Sequence, residues 1–294
     1  MRFARCHPMV NFIFYLGAIF MGMCFTHPLF LLCSLFHSLT FYFMTKKGGR
    51  VKKLLWLSLF FLLISFVNPV FNNRGNTVLF TWPWGSLYTL EALYYGFCTG
   101  AMFVSVILWF ITYNEIITSD KLLYCFGALS PSVSMILTMV LRLLPDFQRK
   151  IKQITQARKG IGRWIKKGTG KEQAVQGMSL VSVLTTWALE GGIITADSMK
   201  SRGFGSTKRT CFGLYSVSTL DYCLIIVMLL LMGGIVVCAF LGGTEAVYFP
   251  RLIIQGKDNL AMIQGVCCYF LFLSIPAGLQ IWEEATWYIL KSKI

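Results

Sequence analysis

Two short stretches carry the most chemistry in this chain. "QARKG" (Gln156–Gly160) contains Ala157, Arg158 and Gly160, and "MKSRGFG" (Met199–Gly205) contains Ser201, Arg202 and Gly203. Each sets an arginine beside a small residue and just ahead of a glycine suited to the position past a helix end. A cation in the last turn of a helix is favoured by the helix dipole. A guanidinium there presents a planar, permanently charged fork of five donors, which suits carboxylates or carbonyls in a protein groove better than a lysine does. The chemistry implied is docking, written twice.

Catalytic patterns are scarce by comparison. "GTGK" (Gly168–Lys171) resembles the end of a phosphate-binding loop, but Ile165 and Glu172 stand where that motif needs glycine and Ser/Thr. The chain is therefore expected to hydrolyse no nucleotide itself. His7, His27 and His37 are spread over the first apolar stretches without a cysteine or carboxylate at ligand spacing, so no metal site is expected. His7-Pro8 and His27-Pro28 read instead as helix starts. The ten cysteines include no C-x-x-C pair and mostly sit in apolar runs, as small hydrophobes. Glu91, Glu115, Asp120, Glu190 and Asp221 fall near the ends of apolar runs or in the polar middle of the chain, away from where a proton relay would lie. "GFCTG" (Gly96–Gly100) is a small-xxx-small face for close helix packing.

The elements that must position the two arginines are membrane helices. Hydrophobic residues make up 56% of the 294 residues and charged ones 13%, which is too few charges for a soluble domain. The net charge of +15 would suggest nucleic acid in a soluble protein; in a membrane protein it reports basic loops kept on the cytoplasmic side. Arg2 and Arg5 precede an apolar stretch with no cleavage site, so an uncleaved first span is expected. Apolar candidates run over 9–25, 28–44, 54–70, 92–113, 122–144, 220–241 and 260–281.

Loop charges decide which of the seven cross. With the amino terminus inside, "TKKGGRVKK" returns to the cytoplasm, and "NNRGNTVLFTWPWGS", with one arginine and the Trp82/Trp84 pair, faces out. Crossing by 122–144 would put Arg149, Lys150, Lys152, Arg158, Lys159, Arg163, Lys166, Lys167 and Lys171 outside. That segment also carries Pro131 and three serines at mid-depth, where lipid satisfies no freed backbone group. It is expected to lie at the surface or against other helices. The result is an all-α polytopic protein of six spans with both ends inside: spans 1–4 over 1–113, a cytoplasmic region over 114–214, and spans 5–6 over 215–294. Within the middle region, "DFQRKIKQITQARKG" reads as an amphipathic helix starting at Pro145 and ending before Gly160, and a second helix, hinged at Gly191-Gly192, ends at Arg202.

The chain resembles the transmembrane component of energy-coupling-factor transporters, a family that includes the cobalt-uptake membrane subunit. The resemblance rests on "NPVFNNRGNTVLF", "TLEALYYG" (Thr89–Gly96), "RLLP" (Arg142–Pro145) and the two arginine stretches. It implies a non-catalytic subunit of a prokaryotic plasma membrane. Two short Ala-Arg-Gly-like motifs would end its coupling helices and dock into grooves on two ATP-binding cassette ATPases. Those partners would bind ATP and magnesium, and a separate membrane subunit would bind the vitamin or metal ion. Ala157, Arg158, Gly160, Ser201, Arg202 and Gly203 correspond to the two motifs; Lys159 intervenes before Gly160, and Ser201 replaces alanine. The alternatives are a membrane-embedded enzyme acting on lipid, with the basic region on headgroups, and a self-contained secondary transporter.

Overall fold

The computed structural model describes residues 2–45, 50–72, 75–81, 87–129, 131–162, 170–206, 215–244, 246, 248–249 and 259–291. Trp82, Trp84, Arg74, Arg163, Lys166, Lys167, Arg251 and Lys257, on which part of the loop-charge reading rests, lie outside them. The elements run α1 (Arg2–Arg5), α2 (Pro8–Cys24), α3 (Pro28–Thr45), α4 (Arg50–Phe71), β1 (Val78–Thr81), β2 (Leu87–Thr89), α5 (Leu90–Ile116), α6 (Ser119–Leu129), α7 (Pro131–Gly160), α8 (Gly170–Ser201), α9 (Thr219–Phe240) and α10 (Asn259–Lys291). They form two compact units: 1–122 with 215–294, and the inserted 123–214.

The first unit is a helical bundle. The helix α5 packs against α2, α3 and α4, while α10 packs against α3 and α9. Its centre is aromatic. Phe14 lies 5.5 Å from Trp109 and stacks on Phe272 at 5.3 Å, and Phe41 stacks on Trp109 at 6.1 Å. All four rings are fully or almost fully buried. Offset and edge-on ring pairs of this kind add directional attraction to plain packing.

Small residues let α4 and α5 come close. A Cβ on Gly96 would lie 2.5 Å from the Ser65 carbonyl oxygen, and one on Gly100 2.9 Å from Ser65 Oγ. Pro69, inside α4, has no N–H to give to that same Ser65 carbonyl four residues back. The carbonyl faces the Cα hydrogens of Gly96 instead, a weak contact that recurs at tight helix interfaces. The "GFCTG" stretch therefore serves bundle packing.

Polar groups in this unit mostly close helix ends. His7 and His27 start α2 and α3, each accepting through Nδ1 from the backbone N–H two residues on (Met9 and Leu29, both 3.3 Å). Burial holds the His7 imidazole below its ordinary pKa, against the smaller pull of Asp221, which keeps it a neutral acceptor. Thr89 caps α5, and Glu91 in the first turn accepts from Thr77 Oγ1 (2.7 Å) and Thr77 N–H (3.2 Å). That bond ties α5 to the approach to a two-stranded antiparallel hairpin, β1–β2, in the register Val78↔Thr89 and Thr81↔Leu87. The hairpin is a small addition to a chain that is otherwise helical, as expected. Thr77, Val78, Tyr88 and Thr89 are β-formers, but the strands are too short to show a period of two.

Six described helices are long and apolar enough to cross a membrane, which marks the chain as a helical multi-pass membrane protein. Their membership differs from the expected six. At 17 residues, Pro8–Cys24 falls among the shorter apolar helices, and Gly170–Ser201 joins the long ones. The apolar middle of α8 was masked in the sequence by the charges at its two ends.

Candidate functional site

Both arginines belong to the inserted unit. The apolar segment 122–144 is not one helix: α6 ends at Leu129, and α7 begins at Pro131, at the first helical position that proline tolerates. From there α7 runs 30 residues to Gly160. This corrects the expectation that Pro145 opens a separate amphipathic helix. Pro145 sits inside α7, and the apolar and basic halves are one continuous element. Gly191 and Gly192 likewise lie within the continuous α8, with nothing near where their Cβ atoms would be.

The helices α7 and α8 pack antiparallel. Phe147 meets Trp187 edge-on at 5.5 Å, and Lys150 Nζ sits 5.6 Å from the same ring, a cation–π distance. Further along α7, Arg158 reaches back toward the start of α8, to Gln176 and Ser179. Rising positions on α7 thus meet falling positions on α8. The ends of the two helices that carry the arginines must then point in opposite directions. From Gln176, level with Arg158, to Arg202 the chain advances about 39 Å at the α-helical rise.

The two helix ends are built alike but place their arginines differently. At α8, Gly203 takes φ +77°, its N–H donates to the Lys200 carbonyl (3.0 Å), and the Phe204 N–H donates to the Met199 carbonyl (3.0 Å). This is a Schellman closure, with Arg202 at the cap itself. At α7 the left-handed residue is Gly162, with φ +72°, and its N–H donates to the Lys159 carbonyl (3.1 Å). Gly160 is the last helical residue, not the residue past the end, because Ile161 continues the turn through a 3.2 Å bond to the Ala157 carbonyl. Measured from the left-handed glycine, Arg158 sits nearly one turn further back than Arg202.

Their surroundings differ accordingly. Arg158 is half-buried; its guanidinium donates to Ser179 Oγ (2.8 Å) and to the Gln176 carbonyl (3.4 Å). Arg202 is exposed, and among the described residues its side chain has no partner. Ala157, Gly160, Ser201 and Gly203 are all exposed around them. Ser201 Oγ donates to the Ser198 carbonyl (2.9 Å), so the residue in the alanine position turns its hydroxyl back onto its own helix.

Arginine neither gives up its proton at ordinary pH nor attacks as a nucleophile. What two guanidiniums on separate helix ends can do is hold two acceptor-lined surfaces. The sequence shows both arginines near helix ends but not the Ser179 tie, which needs the antiparallel register to be known. No family model matches the chain, and no curated protein matches it.

Proposed function

We propose that this chain is the transmembrane coupling subunit of an energy-coupling-factor-type importer. In this reading it passes the motion of two ATP-binding cassette ATPases to a separate membrane subunit that binds a vitamin or metal ion. The observation that carries it is the pair of arginine-bearing ends on one antiparallel helical hairpin, facing opposite ways and about 39 Å apart along α8. Two ends so far apart suit two separate protein grooves better than one ligand. ATP and magnesium belong to the ATPases, and this chain supplies docking and rigidity.

The proposal keeps α8 on the cytoplasmic side despite its apolar length. Crossing there would put the cations from Arg149 to Lys171 on one face of the membrane and Lys200, Arg202, Lys208 and Arg209 on the other. The retention of lysine and arginine inside argues against that split. The exposed Val175, Met178, Val181, Leu189 and Ile193 then form a surface for partner subunits or the lipid boundary. Single cysteines at Gly170 and Gly205, in a cysteine-depleted chain, are expected to label from the same side.

The direct test is purification of the tagged chain from its native membrane. Two ATPase subunits and a smaller membrane protein are the expected companions. A chain that purifies alone, with lipid-converting activity or saturable uptake of its own, would replace this reading with one of the two alternatives.

A further inference from the structure

The inserted unit leaves the bundle after Leu122 and returns at Tyr215. On the bundle side, both roots are tied to the same few amino-terminal residues. At the exit root, Asp221 is 5% exposed in the first turn of α9. Its Oδ2 accepts from Ser218 N–H (2.9 Å) and Ser218 Oγ (2.7 Å), completing a capping box with the Asp221 N–H on Ser218 Oγ (3.3 Å). Its other oxygen accepts from the His7 backbone N–H (3.1 Å), and the His7 ring lies edge-on to Tyr215 at 6.5 Å.

At the entry root, Lys121 is 9% exposed in the first turn of α6. Its ammonium donates to the carbonyls of Ala4, near the end of α1, and of Ile116, the last residue of α5 (3.1 Å). Asn11, fully buried on α2, completes the cluster: in the amide orientation that satisfies both groups it donates to the Phe3 carbonyl (2.9 Å) and accepts from Lys121 Nζ (3.3 Å). Phe3 is itself fully buried, with Phe14 at 5.4 Å and Phe41 at 6.1 Å. The segment is therefore anchored in the bundle core by its ring and holds one root at residue 4 and the other at residue 7.

We propose that Phe3–His7 is a single clamp on both roots of the inserted unit. Each tie adds a bond from the amino-terminal segment to a buried charged side chain at a root, Asp221 or Lys121, so the roots resist slipping separately. A load on 123–214 then reaches α5, α9 and the amino-terminal segment together, instead of being absorbed as slack at one strand of chain. The device rests on the hydrogen bonds above; its use in transport rests on the coupling function proposed for the chain.

The test is hydrogen exchange on the full chain in lipid nanodiscs, read at 118–124 for the entry root and 215–224 for the exit root. His7 has φ −52°, which proline adopts, so His7→Pro removes the N–H given to Asp221 at a compatible φ, together with the ring acceptor that caps α2. His7→Asn keeps both that N–H and a capping acceptor. With one clamp, His7→Pro speeds exchange at both roots by about ten-fold or more, and His7→Asn leaves both close to the parent chain. Lys121→Met gives the reciprocal test, speeding exchange at 215–224 as well as at 118–124, and it stands if the proline variant fails to fold. Exchange that rises only at the root carrying the substitution would show two independent caps and overturn the clamp. Where ATPases are bound, the same variants should keep them while uptake falls. Cross-talk between roots in a chain that binds no ATPase would uphold the clamp and remove the coupling function.

Discussion

The two arginine ends differ more than their sequences suggest. Arg202 stands at the cap of α8 with an open side chain, one residue before a left-handed glycine. Arg158 stands nearly a turn short of its left-handed glycine and spends two donors on α8. One end is therefore left exposed, and the other is held in place by its own neighbour. A guanidinium fixed by Ser179 and Gln176 loses less side-chain freedom on docking, but it offers fewer of its five donors. In the proposed coupling role the pair makes one adaptable contact and one pre-set contact, so two docked ATPases should not respond alike to equivalent substitutions.

The largest expected effect erases the comparison. Arg158→Glu/Arg202→Glu reverses both charges, and the chain should lose both ATPases in pull-down while keeping its membrane partner. Two contacts on one scaffold reinforce each other, so either single reversal should still assemble but transport poorly. A double variant that holds both ATPases and transports normally would leave these arginines as surface charges.

Next in size is Arg202→Lys. It keeps the charge and loses the planar fork, and a charged interface anchor is worth about 2–4 kcal/mol. Binding of one ATPase should weaken accordingly, measured by titration of labelled ATPase onto the reconstituted chain. Arg158→Lys is expected to do less, because fewer of that fork's donors are available. Equal losses at the two sites would remove the distinction between adaptable and pre-set ends.

How far the sequence carried this picture depends on the scale of the signal. The apolar runs of α2 to α5, α9 and α10 are long enough to read directly, as were the histidine-proline helix starts. Pro131 and the serines around it argued against a crossing by 122–144, but not that the stretch divides between α6 and α7. What escaped was set by tertiary context. Pro145 reads as a start because a proline inside a helix is costly, yet α7 continues through it. Gly160 reads as a stop because glycine usually ends helices, yet Gly162, two residues on, takes the left-handed turn. The ties from Ala4 and His7 to the two roots carried no sequence signal, because both residues act there through backbone groups, which a sequence does not distinguish.

The glycines give a pair of opposite sign. Gly203→Ala puts a side chain at φ +77°, costing about 1–2 kcal/mol at the end of α8 and fraying the presented arginine. Gly160→Ala falls inside the helical turn, with nothing within 4 Å of the new Cβ, and should stabilise the end of α7 by about 0.5–1 kcal/mol. Amide exchange at each helix end reads both effects. A loss at Gly160→Ala as large as at Gly203→Ala would mean that both glycines serve partner approach more than helix geometry.

The smallest expected effect isolates what makes Arg158 different. Ser179→Ala removes the hydroxyl that accepts from its guanidinium at 2.8 Å and leaves the arginine itself in place. The bond is exposed, so water replaces most of it, and α7–α8 packing should weaken by only about 0.5 kcal/mol. The consequence for docking has the opposite direction from a simple loss. Released from Ser179, Arg158 regains rotamers and donors and should come to resemble Arg202, binding its ATPase with a slower on-rate but no weaker final grip. Stopped-flow mixing with one ATPase, in a chain whose other arginine is already reversed, separates the two rates. An unchanged on-rate would show that the Ser179 tie pre-sets nothing. A markedly faster dissociation would show that the tie belongs to the docked state, with Arg158 reaching its partner while still held by α8.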